Sequence, residues 1–172
     1  MAPVVRDGTG FEAIYSEHFA FVWRCLRGLG VAEAVLDDAA QDVFVIVHRR
    51  LAEFRGDSTM RTWLYGIVRN VASNARRSQG RKGELLPTPH DVIATTGDPQ
   101  QRAQDQEAAR FVQSFLEGVD AKKRELFVLA VLEQMSIPEV AEALGVPLNT
   151  AYTRLRSVRL DFQAALRARG AS

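Results

Sequence analysis

Apolar residues recur at intervals of three and four along most of this chain, and that spacing predicts helices almost throughout. Phe11, Ile14, Tyr15, Phe19, Val22 and Leu26 trace one face of a first helix that fades at Gly28 and Gly30. A second is expected from about Ala32 to Ala52, with Leu36, Ala40, Val43, Val47 and Leu51 on its apolar stripe. Its run Val43 to Val47 also has strand propensity, so tertiary context must decide between the two. A third helix starts near Ser58 or Thr59, either of which can cap it, and reaches about Ser78. On its wheel Leu64, Ile67, Val68, Val71 and Ala75 point to the core, while Tyr65, Arg69 and Arg76 lie nearly opposite.

Residues 79–105 break the pattern, holding three Gly and three Pro with no sustained periodicity. Beyond them, helices are expected at about 106–118, 121–134, 137–144 and 148–168. The reading is an all-α protein: a domain over 8–79, a flexible linker over 80–105 and a second small helical domain over 106–172.

Composition narrows the class. With 47% hydrophobic and 25% charged residues the chain reads as soluble and globular. No apolar run approaches the roughly 20 residues of a membrane span, and no secretory leader is visible, so no membrane insertion and a cytoplasmic location are expected. The single cysteine, Cys25, sits in an apolar stretch and reads as a buried, inert thiol. His18, His48 and His90 lack metal-ligand spacing, and no Gly-rich phosphate loop or nucleophile-and-base set appears. No catalytic residue, metal or cofactor is therefore expected, and the protein is not read as an enzyme.

The net charge of +1 hides a strong alternation. Residues 1–48 carry 3 Lys and Arg against 7 Asp and Glu, 49–82 carry 9 against 2, 83–147 carry 5 against 11, and 148–172 carry 5 against 1. Two basic blocks separated by an acidic one suggest two footprints on a polyanion, with acidic surfaces left for other partners.

The second basic block follows a helix-turn-helix pattern, "SIPEVAEALGVPLNTAYTRLRSVR" at residues 136–159. Ser136 can cap a helix whose Ile137, Val140, Ala141 and Leu144 face inward, Gly145 supplies the turn, and Val146 fills the angle. The next helix has Pro147 near its first turn, with Asn149 or Thr150 as possible caps. Its inner stripe is Ala151, Leu155 and Val158; its outer face carries Tyr152, Thr153, Arg154, Arg156 and Arg159. Such a face suits a major groove, where arginine binds guanine O6 and N7 bidentately and hydroxyls reach phosphates or base edges.

The first basic block differs. Trp63, Gly66, Asn70 and Arg77 form a flank between the core and solvent faces of the third helix, after the loop Phe54 to Ser58 with its Gly56 hinge. An aromatic with amides and cations along one edge is a surface for unstacked bases, and Gly66 would permit close approach of a strand or a neighbouring helix. A partly buried Trp63 is compatible with that role. On the second helix Asp38, Gln41, Asp42, Val45 and Arg49 fall on one face, opposite the apolar stripe; an exposed valine among polar residues suits a protein interface.

Together these stretches resemble bacterial RNA polymerase sigma factors of the extracytoplasmic-function group. "DDAAQDVFVIVHRRLAEFRGDSTMRTWLYGIVRNVASNARR" is similar to the family's second conserved region, and the helix-turn-helix to its fourth. The resemblance implies a sigma factor that binds core RNA polymerase and directs promoter-specific initiation. Asp38, Gln41, Asp42, Val45 and Arg49 would dock on the polymerase clamp helices. The loop and flank, as Phe54, Arg55, Asp57, Ser58, Arg61, Trp63, Asn70, Asn74 and Arg77, would capture single-stranded minus-ten bases. The second helix of the helix-turn-helix, with Thr150, Tyr152, Thr153, Arg154, Arg156, Ser157 and Arg159, would read the minus-thirty-five duplex. An anti-sigma factor is the further partner it implies, and the linker "ELLPTPHDVIATT" would thread near the polymerase active site. Three positions depart from the family pattern: Val35 where an acidic residue is frequent, Asp42 for the usual Glu, and Tyr152 for a common Lys or Arg. The rival readings are a helix-turn-helix regulator, which would need a receiver or ligand domain, and a polymerase-binding adaptor, which would leave Arg154, Arg156 and Arg159 unexplained.

Overall fold

The apolar stripes assemble a group of three helices and a group of four. The computed structural model describes residues 9–82 and 99–170, and those residues contain helices and turns with no strand. The first group is α1 (Thr9–Gly28), α2 (Glu33–Arg50, followed by a 3-10 turn at Leu51–Glu53) and α3 (Met60–Lys82). The second half begins with α4 (Pro99–Gly118). It continues through α5 (Ala121–Phe127), which widens into a π-helical turn at Val128–Leu132, then α6 (Ile137–Leu144) and α7 (Leu148–Gly170).

In the first group Leu36, Ala40, Val43 and Val47 are buried against Val22, Leu26, Leu64 and Val68. The Val43 to Val47 run is helical because the 3.6-residue period sends Val43, Phe44 and Val47 inward, leaving Val45 at 47% exposure. Thr59 rather than Ser58 caps α3, accepting from the Thr62 N–H at 3.2 Å. Cys25 is buried, and burial pushes its thiol pKa well up, consistent with an inert thiol. In the second group Phe162 of α7 meets Phe111 and Phe115 of α4 and Phe127 of α5, with ring centroids 4.9–5.8 Å apart.

The helix-turn-helix forms with a fuller cap than its Ser136 alone suggested. The Ser136 hydroxyl accepts from the Glu139 N–H, and the Glu139 carboxylate accepts from the Ser136 N–H at 3.0 Å, a reciprocal capping box. These bonds, the Ser136 hydroxyl first, lower the Glu139 pKa. Stabilisation from this carboxylate is thus present above its ordinary pKa and lost as pH falls through the lowered value. Gly145 closes α6 at φ 63°, a left-handed conformation that glycine adopts without strain. Ser136→Ala is expected to cost about 1 kcal/mol in chemical denaturation, with the shortfall shrinking at acid pH as Glu139 protonates.

Four local expectations change. Asn149 and Thr150 cap nothing: α7 already starts at Leu148, the Ala151 N–H donates to the Pro147 carbonyl at 3.1 Å, and the Asn149 carbonyl accepts from the Thr153 hydroxyl at 2.9 Å. The helices reach into the span read as linker, α3 to Lys82 and α4 from Pro99, because those turns are polar all round and carry no apolar period. The remaining stretch, with most of "ELLPTPHDVIATT" and His90, lies outside the described residues. A Cβ on Gly66 would meet nothing within 4 Å, so no neighbouring helix requires that glycine. Tyr65, placed opposite the core by its wheel, is fully buried.

Tyr65 is buried because the two halves dock on each other. α3 packs on α6 and α1 on the π-helical turn, and the buried apolar residues of both halves form one continuous cluster. The outward face of α3 in the first group is therefore an inward face of the whole molecule.

Candidate nucleic-acid interface

α7 presents its polar face because Ala151, Leu155 and Val158 are fixed against α5 and α6. Tyr152, Thr153, Arg156 and Arg159 are exposed, Tyr152 at 53%; Thr150, Arg154 and Ser157 are half-buried at the edges. Leu148, at 43% exposure, stands one turn before Tyr152 and extends that face with apolar surface. Sequence reasoning passed over Leu148; its i, i+4 spacing to Tyr152 was the signal available.

The loop and flank before and along α3 are assembled differently. Gly56 takes φ 77°, turning the chain between Arg55 and Asp57, both exposed. Phe54 is half-buried against Trp63, ring centroids 5.4 Å apart, so Trp63 is both a packing residue and a partly open aromatic face. Ser58 is half-buried beside them. Two and three turns beyond Trp63, Asn70 and Asn74 are exposed, and the Asn74 side-chain carbonyl accepts from Arg77 at 2.5 Å. Aromatic, amide and guanidinium groups thus share one continuous edge.

Arg61 is the exception among the sequence-derived candidates. Its guanidinium lies over the Phe21 ring at 4.8 Å and donates to the Glu133 main-chain carbonyl at 2.9 Å, so it faces the second half of the molecule. Glu133, which ends the π-helical turn, was not legible as an interface residue. The sequence offered only that Glu125 and Glu133 bracket an apolar run.

The α2 face is open. Asp38, Gln41, Asp42, Val45 and Arg49 are all exposed. Val45 and Arg49 border two grooves at once: one of about 540 Å³ toward Asn74 and Ser78 of α3, one of about 390 Å³ toward Phe11 and Tyr15 of α1. An apolar ridge between two grooves is the shape that receives the side-chain rows of partner helices. Val35, one of the departures from the family pattern, lines the first groove and is half-buried. Among the described residues no cluster of His, Cys, Asp or Glu could hold a metal ion, and no helix is long and apolar enough to cross a membrane.

Two family models match the chain: "Sigma-70 region 2" over residues 14–82 and "Sigma-70, region 4" over residues 112–161. These matches cover α1 to α3 and most of the second half, including the helix-turn-helix. Curated relatives agree over nearly the full length. RNA polymerase sigma factor CnrH of Cupriavidus metallidurans is 29% identical over 91% of this chain and 86% of its own. RNA polymerase sigma factor YlaC of Bacillus subtilis is 28% identical over 89% and 87%. The solved structure of CnrH in complex with the cytosolic domain of CnrY superposes with a TM-score of 0.70 at 28% identity, covering 92% of this chain and 88% of that one. Sigma factor RpoE in complex with the anti-sigma factor NepR from Bartonella quintana shares the fold, at TM-score 0.73 and 19% identity.

An all-helical chain with an exposed basic recognition helix and a region 2 group ahead of it defines the class: this is a sigma-70-type factor, acting with RNA polymerase in promoter-directed transcription initiation. Within that class the chain belongs to the extracytoplasmic-function group.

Proposed function

We propose that the three surfaces divide the work of initiation. Asp38, Gln41, Asp42, Val45 and Arg49 dock α2 on the polymerase clamp helices, with Val45 as the apolar ridge between flanking grooves. The exposed face of α7 reads the minus-thirty-five duplex: Arg154, Arg156 and Arg159 supply guanine or phosphate contacts, and Thr150, Tyr152, Thr153 and Ser157 supply hydroxyl and aromatic ones. The loop and α3 edge, from Phe54, Arg55, Asp57 and Ser58 to Trp63, Asn70, Asn74 and Arg77, capture unpaired minus-ten bases. Arg61 joins that set only when it leaves Glu133.

Melting costs on the order of 1.4 kcal/mol per base-pair step in stacking, so base capture offsets part of that cost while polymerase supplies the rest. No chemistry is performed by this chain, which acts as an initiation factor rather than an enzyme in the cytoplasm where its polymerase works. By analogy with CnrH bound to CnrY and RpoE bound to NepR, an anti-sigma factor is the natural antagonist.

The observation that carries this reading is that α7 turns its three apolar residues inward and its arginines outward while α3 offers an aromatic and amide edge in the same chain. Run-off transcription with core polymerase, on promoter DNA enriched from the genome of origin, tests it. Transcripts are expected only when both polymerase and this protein are present. DNA binding without initiation at any enriched site would instead leave a helix-turn-helix regulator.

A further inference from the structure

Two large apolar side chains stand in water at the N-terminal end of α7. Leu148 is 43% exposed and Tyr152 is 53% exposed, and at four residues apart one sits a turn above the other on the same side of the helix. Arg156, also exposed, continues that row by a further turn. Among the described residues no ring contact, hydrogen bond or ion pair engages Tyr152. Ala151, Leu155 and Val158 of the same helix are buried, so the fold has an apolar interior within reach and leaves this pair outside it.

The end of the helix that carries the pair is held rigidly. Gly145 closes α6 at φ 63°, the Val146 N–H donates to the Ala141 carbonyl at 3.0 Å, and the Ala151 N–H donates to the Pro147 carbonyl at 3.1 Å. Pro147 restricts its own φ as the chain enters α7. Side chains set on such a turn lose little freedom when a ligand meets them. The neighbouring hydroxyl is already engaged: Thr153 donates to the Asn149 carbonyl at 2.9 Å, which leaves it only lone pairs to offer. The first two positions of the row therefore present carbon, with the Tyr152 hydroxyl as their single polar side-chain atom.

In the major groove the C5-methyl of thymine is the apolar feature among donors and acceptors. Against guanine's acceptors or cytosine's amino group, a leucine or an aromatic ring would displace water and return no hydrogen bond, which disfavours those pairs. The N-terminal residues of a recognition helix are the ones that meet base edges, and Leu148 is the first residue of α7. Four residues rise about 6 Å along a helix against about 3.4 Å for a base-pair step, so the two contacts fall on adjacent or next-but-one pairs. Arg156, another turn along, falls on a separate pair. Leu160, although 55% exposed, lies about 18 Å from Leu148, beyond the end that enters a groove about 12 Å wide.

We propose that Leu148 and Tyr152 read the C5-methyl groups of two thymines in the minus-thirty-five duplex, so that this chain selects T·A pairs there by apolar contact and a guanine or phosphate contact through Arg156 follows. The inference rests on the assignment of α7 to that duplex.

Uracil presents the hydrogen-bonding edge of thymine without the methyl, and so isolates the contact. Holoenzyme reconstituted from this protein and core polymerase is bound to the promoters enriched for run-off, with thymines of the minus-thirty-five duplex replaced one at a time by uracil on either strand. The wild type is expected to lose about fourfold in closed-complex affinity at each of two positions, the equivalent of burying one methyl group. Leu148→Ala is expected to abolish the penalty at one position and Tyr152→Ala at the other, whereas Tyr152→Phe keeps its ring and its penalty. Each penalty is a ratio within one protein, so a loss of folded material does not change it. Sequence-selective binding with no uracil penalty overturns the methyl contact and leaves the assignment of α7 standing. A penalty that survives both alanine variants overturns it too, and weaker holoenzyme formation in those variants would then mark the pair as a protein contact. Binding with no sequence preference on any duplex removes the minus-thirty-five assignment itself, and the methyl contact with it.

Discussion

Arg156→Ala is expected to weaken recognition of the minus-thirty-five duplex by 1–3 kcal/mol, roughly 5- to 150-fold, and to flatten the preference at one base pair. Arg156 is exposed on the face of α7 opposite Ala151, Leu155 and Val158, and no hydrogen bond or ion pair among the described residues holds its guanidinium. Truncation therefore removes a DNA contact without leaving a buried partner unpaired. Unfolding midpoints should not move, since surface substitutions away from structural features fall within about 0.5 kcal/mol. Electrophoretic mobility of holoenzyme on duplex variants gives the comparison. A uniform loss across all sequences with a reduced salt slope would reassign Arg156 to a phosphate. Arg154, half-buried, should lose affinity and some stability together.

Trp63→Ala and Asn70→Ala are expected to leave closed complexes intact and to impair opening, each by about 1–3 kcal/mol if a base stacks on or bonds to that edge. The two substitutions differ in their structural cost. Trp63 packs on Phe54, so its truncation also loosens the loop, whereas Asn70 is exposed and its loss touches nothing in the core. Trp63→Phe keeps an aromatic face and should recover most of the opening. Permanganate reactivity of minus-ten thymines reports the melted fraction; normal reactivity in both alanine variants would remove the base-capture role from α3.

Much of this was legible before any coordinates. The helix-turn-helix was readable because its signals are local: Ser136 as cap, Gly145 at positive φ, and apolar residues at helical spacing that the fold buries. The α2 face was readable for the same reason, since a 3.6-residue period that buries Val43 and Val47 must expose Val45. Polar helical turns escaped notice where no apolar face gave a period, as at both ends of the segment between Lys82 and Pro99. Asn149 and Thr150 looked like caps by residue type, yet the chain was already helical at Leu148.

By itself, then, the sequence determined the class of fold, the inner and outer faces of each helix within its own group, and the exposed faces proposed above to meet polymerase and DNA. Each of those follows from spacing along a single helix. Only the tertiary structure decided what Tyr65, Arg61 and Gly28 do, because each takes its role from residues some sixty to a hundred positions away: Tyr65 from Glu125, Arg61 from Glu133, Gly28 from Val128. A helical wheel has one inside, whereas a helix caught between two packed halves has two, and periodicity along one element carries no information about the second.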